Sequence, residues 1–389
     1  MNIAFDALPL MGRMTGIGYC EAGQVTAMTA RHPEHEFTLN YFAIRHLAQR
    51  KADIQPYLRQ NVTARHSLCH PYLYRLVSAF VPVPYSWFFG KKAEITHFFN
   101  YIVPPLVHGK TVVTVHDMVY RAFPETVRGR TKHMLDLGLV KSMRRADRIV
   151  TDSEFSKSEI IRYYPEFADK IRVVPCGVDM QKFHPETDAQ KIAQVREKYE
   201  IRGDYFLYLG TLEPRKNLER LIDAYAAFAK NHEAPAKLVL AGGKGWLYDG
   251  IFGKVKALGL EQQVIFTQYI DSADLCALMS GALAFTFPSL YEGFGMPPLE
   301  AMACGTPVLV SDAASLPEVT GDSAVIVKAD STASIADGLE RLFTDADLRR
   351  RLSAEGLARA AMFSWERSAQ LLYEVYAELC PMLKENGNV

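Results

Sequence analysis

Short apolar runs alternate with helical patterns twice along this chain, and that alternation restricts the fold more than any other feature. In the first half the runs are Asn2–Asp6, Glu36–Tyr41, Ile95–Phe99, Thr111–Val115, Arg148–Thr151 and Ile171–Val174. In the second half they are Tyr205–Leu209, Lys237–Ala241, Val264–Thr267, Ala282–Phe287 and Pro307–Val310. Strands buried on both faces read as continuous apolar runs, and the helices between them supply both the cover and the crossover. The pattern predicts an α/β chain of two doubly wound, Rossmann-like domains facing an interdomain cleft. The turn-rich segment from Pro175 to Pro185 reads as the linker. The expected boundaries are residues 1–183 and 184–365. Residues 366–389 then form a closing helix, started at Ser364 and packed back on the first domain, with Trp365 in the core.

The 389 residues are 49% hydrophobic and 23% charged, enough apolar material for two cores. No run approaches the ~20 apolar residues of a membrane span. No basic stretch precedes the first apolar residues, so a signal peptide is not expected. The cysteines (Cys20, Cys69, Cys176, Cys276, Cys304, Cys380) are scattered with no Cys-x-x-Cys pair, which argues against a zinc site or disulfide frame and fits a reducing cytoplasm. Net charge is zero overall but +8 over residues 1–184 and −8 over the remainder. A basic half attracts an anionic partner such as a membrane surface, a lipid diphosphate or nucleic acid.

The segment Ser289–Gly305 carries most of the chemistry. Glu292 and Glu300 stand eight positions apart, with Gly293, Phe294, Gly295, Pro297 and Pro298 between them. Proline suits a first helical turn and glycine a helix exit, so the segment reads as strand, glycine loop, helix. Glu292 then lies beyond the carboxyl end of a strand and Glu300 just inside the next helix. That edge is where open α/β sheets bind ligands, and free amides at a helix start favour an anion. Two carboxylates beside an anion site point to hydroxyl recognition, and the combination describes a nucleotide sugar.

Other strand ends add to it. Arg215 and Lys216, in Gly210–Asn217, precede a helical pattern where the helix dipole disfavours cations, a cost that a bound diphosphate would offset. His116 and Asp117 end an apolar run and point at the cleft. Gly12, Gly16 and Gly18 read as a flexible loop in which backbone can approach phosphate, though not with dinucleotide-fingerprint spacing. Thr151–Ser156 reads as a structural helix cap. The aromatics of Pro71–Pro105, followed by a basic helical pattern with Arg128, Arg130, Lys132, Lys141, Arg144 and Arg145, suggest a peripheral membrane face.

With these loops in order, the chain resembles the family 4 retaining glycosyltransferases of GT-B fold over nearly its whole length. The resemblance rests above all on the Glu292–Glu300 segment, then on Glu213–Asn217, Val115–Asp117, Thr15–Gly18 and the closing Phe363-Ser364-Trp365 helix. It implies that Arg215 and Lys216 bind the donor diphosphate and Glu300 the ribose hydroxyls. It implies that Glu292 contacts the transferred sugar, beside amides of Gly293, Phe294 and Gly295. Gly16 and Gly18 would line the diphosphate, and His116, Asp117 and Glu292 would be the catalytic set. No metal or other cofactor is implied. Thr211 departs from the family, where arginine often follows the strand-ending glycine. The Tyr291–Pro297 variant looks most like bacterial mannosyltransferases of surface-polysaccharide assembly. The expected reaction takes mannose from GDP-mannose to a lipid-linked or polysaccharide acceptor. The expected setting is the cytoplasm or the inner membrane face, peripheral on anionic lipid, without nucleic acid. The alternatives are UDP-glucose or another hexose donor, an epimerase, or a non-catalytic nucleotide-sugar-binding subunit.

Overall fold

The computed structural model describes residues 1–12, 14–243, 245–246 and 248–380. The chain divides into two compact units, Met1–Gly177 with the segment from Trp365 onward, and Val178–Ser364.

The first unit is built on seven parallel strands: β1 (Asn2–Asp6), β2 (Glu36–Phe42), β3 (Val62–Ser67), β4 (Ile95–Phe98), β5 (Lys110–Thr114), β6 (Arg148–Thr151) and β7 (Ile171–Val173). Their order is β3-β2-β1-β4-β5-β6-β7, so the winding reverses between β1 and β4. The central strands are buried along almost their whole length, which is why they read as apolar runs. The edge strand β3, Val-Thr-Ala-Arg-His-Ser, alternates half-heartedly and is largely exposed, and no apolar run announces it.

The helix Trp365–Leu379 belongs to this unit. Ala369, Leu372, Val375 and Tyr376 sit in its core beside Val25, Met28 and Ile95. Burying each large apolar side chain is worth ~1.5–3 kcal/mol. Gln24 Nε2 donates to Ser368 Oγ at 3.0 Å, and Tyr376 Oη lies 2.7 Å from His97 Nδ1. Trp365 lies over Gly23, where an added Cβ would come within 2.2 Å of the indole.

The helix Gly16–Arg31 follows the first strand and its turn. Gly16 and Gly18 were expected in a flexible loop; Gly16 opens this helix and Gly18 lies within its first turn. The reason at Gly18 is close approach: a Cβ there would stand 2.6 Å from the Pro9 carbonyl oxygen. Only Gly12 of the three has a left-handed φ, +76°.

The second unit holds six parallel strands: β8 (Tyr205–Leu209), β9 (Lys237–Ala241), β10 (Val264–Gln268), β11 (Ala284–Phe287), β12 (Val308–Ser311) and β13 (Val325–Val327). The order is β10-β9-β8-β11-β12-β13, with the reversal between β8 and β11. Three-residue β13 is too short to have been legible. The crevice at such a reversal, outside the carboxyl ends of the strands, is where these sheets receive ligands.

Candidate active site

The loops leaving β8 and β11 meet at that reversal. The β8 loop reaches Glu213 and makes a tight turn over Pro214–Lys216, closed by Lys216 N–H to Glu213 O at 3.1 Å. Asn217 then takes a left-handed φ of +60°, a conformation asparagine tolerates better than most residues. Its Nδ2 donates to Pro288 O at 3.0 Å and to Ala329 O at 2.7 Å, so one side chain ties the β8 loop to the β11 loop and to the exit of β13. The following helix, Leu218–Ala229, is anchored by buried Leu218, Leu221 and Ile222.

This turn presents two cations to Glu292. Lys216 Nζ donates to Glu292 Oε1 at 2.6 Å and Arg215 Nη1 to Glu292 Oε2 at 2.8 Å. Arg215 is held from its other edge by Glu213 Oε1 at 2.8 Å and also donates to Tyr291 O at 2.7 Å. Lys216 lies 4.7 Å from the centre of the Phe287 ring, a cation–π contact. Burial by itself would raise the Glu292 pKa, but Arg215 and Lys216 overrule it and bring it down to about 2. Burial and the Arg215 charge hold Lys216 below its usual value. Glu292 is ionised at neutral pH.

The β11 loop is fixed from below. Ser315 Oγ lies 2.9 Å from Glu292 O and 2.7 Å from Phe294 O. Gly295 has φ +111°, and a Cβ there would stand 2.8 Å from Leu316 Cδ2. The helix Met296–Ala303 starts at once, with prolines in its first turn. Glu300 sits half-buried on that helix. Burial raises its pKa to about 7, opposed by the charge of Lys182. Its carboxylate has no hydrogen-bond partner among the described residues. Glu300 is therefore poised between neutral and charged, while Glu292 is fully committed.

In the first unit, His116 follows β5. Its Nε2 lies 2.7 Å from Phe99 O and its Nδ1 2.7 Å from Asp152 Oδ2. A carbonyl and a carboxylate both accept, so both ring nitrogens carry protons and the ring is an imidazolium. Burial opposes the charge, but Asp152 prevails and lifts the pKa to about 10. The sequence suggested a histidine reaching for a sugar; in this structure both nitrogens are engaged inside the unit. Asp117 Oδ1 accepts from Tyr101 Oη at 3.2 Å and from Val119 N–H at 3.1 Å. Asp152 is a partner that sequence reasoning missed. It sits at the end of β6, the neighbour of β5, and two polar strand ends side by side were the available signal. Glu213, Asn217 and Ser315 were missed likewise.

Two groups among the described residues bring metal-ligating atoms within 4.8 Å of one another: Cys20, Asp152 and Cys176, and His32, Glu34 and His35. Neither includes the Glu292 cluster. All six cysteines are free thiols.

Two doubly wound parallel sheets, one carrying a cation pair, a glycine loop and two glutamates at its reversal, define a GT-B glycosyltransferase architecture. Solved structures agree on the fold. Sucrose-phosphate synthase of Thermosynechococcus elongatus superposes with a TM-score of 0.73 at 21% identity, covering 98% of this chain and 99% of that one. Anabaena HepE, solved in complex with UDP and glucose, gives 0.73 at 18% identity over 97% of this chain and 99% of its own. Residues 191–359 match the family described as Glycosyl transferases group 1, and residues 29–182 match Glycosyltransferase Family 4. The O-antigen chain mannosyltransferase B of Escherichia coli is 35% identical over 73% of this chain and 74% of its own. The serotype-specific mannosyltransferase WbdA of Escherichia coli is 32% identical over 71% of this chain, but the match spans only 34% of that longer protein. The chain belongs to this glycosyltransferase family and is an enzyme of that class.

Proposed function

We propose that this glycosyltransferase moves mannose from GDP-mannose to a lipid-linked or polysaccharide acceptor with retention of configuration. The observation that carries the reading is the paired contact of Lys216 and Arg215 with Glu292 at the sheet reversal. A buried lysine and a half-buried arginine there suit a diphosphate, and the carboxylate between them suits the hydroxyls of the attached sugar. Likeness to mannosyltransferases favours mannose over other hexoses.

In this reading the donor's anomeric C–O bond breaks and the nucleotide diphosphate leaves, its growing charge met by Arg215, Lys216 and the amides of Gly293–Gly295. Glu300 accepts the ribose hydroxyls. The acceptor oxygen attacks the anomeric carbon from the face the diphosphate leaves, and its proton passes to a departing phosphate oxygen. His116 and Asp117 serve the transferred sugar, and Gly16 and Gly18, at the helix start, line the diphosphate. The His116 imidazolium is charge-balanced by Asp152, and its Nε2–H has to exchange Phe99 O for a sugar oxygen to touch substrate. This reading assigns no metal to the step, so chelator should leave the rate unchanged.

A donor panel tests the reading. GDP-mannose should raise the unfolding temperature more than UDP-glucose or free GMP does, since a ligand bound only by the folded state stabilises it. A preference for UDP-glucose would replace the donor and leave the rest standing.

A further inference from the structure

Cys20 and Cys176 stand 156 residues apart in sequence, so no Cys-x-x-Cys spacing announces them, yet the fold of the first unit brings their sulfurs to 3.1 Å. Cys20 lies on the helix Gly16–Arg31. Cys176 follows β7, and Asp152 follows β6, the neighbouring strand. One ligand atom from each of the three lies within 4.8 Å of the others. All three side chains are buried.

Asp152 divides its two oxygens. Oδ2 lies 2.7 Å from His116 Nδ1. Oδ1 is buried and accepts no hydrogen bond among the described residues. A buried carboxylate oxygen without a donor is costly, and a cation is the other group that satisfies it. The two sulfurs decide which cation, because thiolates select zinc-like ions over magnesium or calcium. Zinc bonds of about 2.3 Å to sulfur and about 2.0–2.2 Å to carboxylate oxygen suit a set of this size, with one tetrahedral position left for water. The charges also close. Two thiolates neutralise a divalent ion, and Asp152 goes on balancing the His116 imidazolium, so no buried charge is left uncompensated.

Other clusters do not match this. At His32, Glu34 and His35 the contacts need no ion: His32 Nδ1 lies 3.0 Å from Glu34 Oε1, His35 Nε2 lies 3.0 Å from Tyr373 Oη, and Glu34 is exposed. In the second unit Cys276 and Cys304 stand 3.9 Å apart, and no third ligand completes a set among the described residues.

We propose that Cys20, Cys176 and Asp152 hold one divalent cation of the zinc class. The ion is structural: it pins the helix Gly16–Arg31 to the ends of β6 and β7 and fixes the carboxylate that holds His116. It takes no part in the transfer step.

Expression in medium where cobalt replaces zinc, with purification under a phosphine reductant, tests it. The expected product carries about one cobalt ion per chain and shows thiolate-to-cobalt charge-transfer absorption. Cys20→Ser and Cys176→Ser, each checked for folding by circular dichroism, should each remove that absorption. Asp152→Asn should keep it but lose the ion to a chelator at least about tenfold more readily. Cys276→Ser with Cys304→Ser, and His32→Ala with His35→Ala, should leave it unchanged. X-ray absorption on the zinc-loaded wild type needs no variant and should count two sulfurs at about 2.3 Å. A folded wild type without the charge-transfer band overturns the site, as does a metal shell without sulfur. A band that survives Cys20→Ser or Cys176→Ser, or that vanishes with the Cys276 and Cys304 pair, overturns it as well. None of these readouts involves sugar transfer, so they are independent of the donor assignment.

Discussion

Lys216 Nζ stands 2.6 Å from Glu292 Oε1, a buried ion pair whose members come from loops 76 residues apart in sequence but adjacent at one sheet reversal. Arg215 shares the same carboxylate. In the proposed reading, the pair puts the groups that meet the diphosphate and the sugar hydroxyls within one side-chain length of each other.

Removing one partner leaves the other charged and buried. Lys216→Met should lower stability by ~1–3 kcal/mol at pH 7, less than the usual 3–5 for a buried pair because Arg215 still faces Glu292. The effect is pH-dependent. The folded pKa of Glu292, about 2, is below the ordinary 4.5. Its contribution is therefore fully present above about pH 4.5 and lost as pH falls through 2. Urea titrations from pH 7 to 2 should show the wild-type advantage over K216M shrinking in that window.

Glu300 predicts the opposite sign. Its folded pKa is raised to about 7, so the folded state pays for ionisation and stability declines as pH rises from about 4.5 to 7. Glu300→Gln should raise the unfolding temperature of the free enzyme at pH 7.5 by about 2–4 °C while weakening nucleotide binding. If ribose hydroxyls donate to the ionised carboxylate, nucleotide binding near pH 6.5 releases a proton. Calorimetry in buffers of different ionisation enthalpy reads that proton directly.

The edge strand β3 and the short β13 escaped sequence reading because neither buries a continuous apolar run. The central strands β1, β6, β8 and β9 have the bounds read from sequence because burial on both faces forces such runs. At the site, Glu292 and its cations were legible because glycine, proline and charge cluster there against expectation. Asp152 was not, since one aspartate before a serine cap looks like any helix start. The aromatics of residues 71–105 misled for a related reason: composition cannot tell which side of a helix a ring occupies, and most turned inward.

His116 should stay doubly protonated well above its ordinary range. Nitrogen shifts of both ring positions should be those of an imidazolium from pH 6 to 8.5, because the pKa is raised to about 10. The stability this adds is complete below about pH 6.5 and is lost as pH rises through 10. Asp152→Asn should restore titration near neutrality, and a neutral ring already present at pH 6.5 in the wild type would refute the pairing.

Gly295→Ala places a side chain at φ +111° and against Leu316 Cδ2. The cost should be ~1–3 kcal/mol, with a matching loss of donor affinity because the loop amides move. Denaturant midpoints and donor titrations of the variant measure the two together.

The most direct measurement is kcat/KM for transfer from GDP-mannose by wild type, Glu292→Gln and Lys216→Met, each checked for folding by circular dichroism. Losing a charged contact to the transition state should cost ~2.7–4 kcal/mol, about 100- to 1,000-fold in rate, in either variant. Folded variants that transfer within about fivefold of wild type would contradict the placement of the donor's pyrophosphate and sugar at this pair.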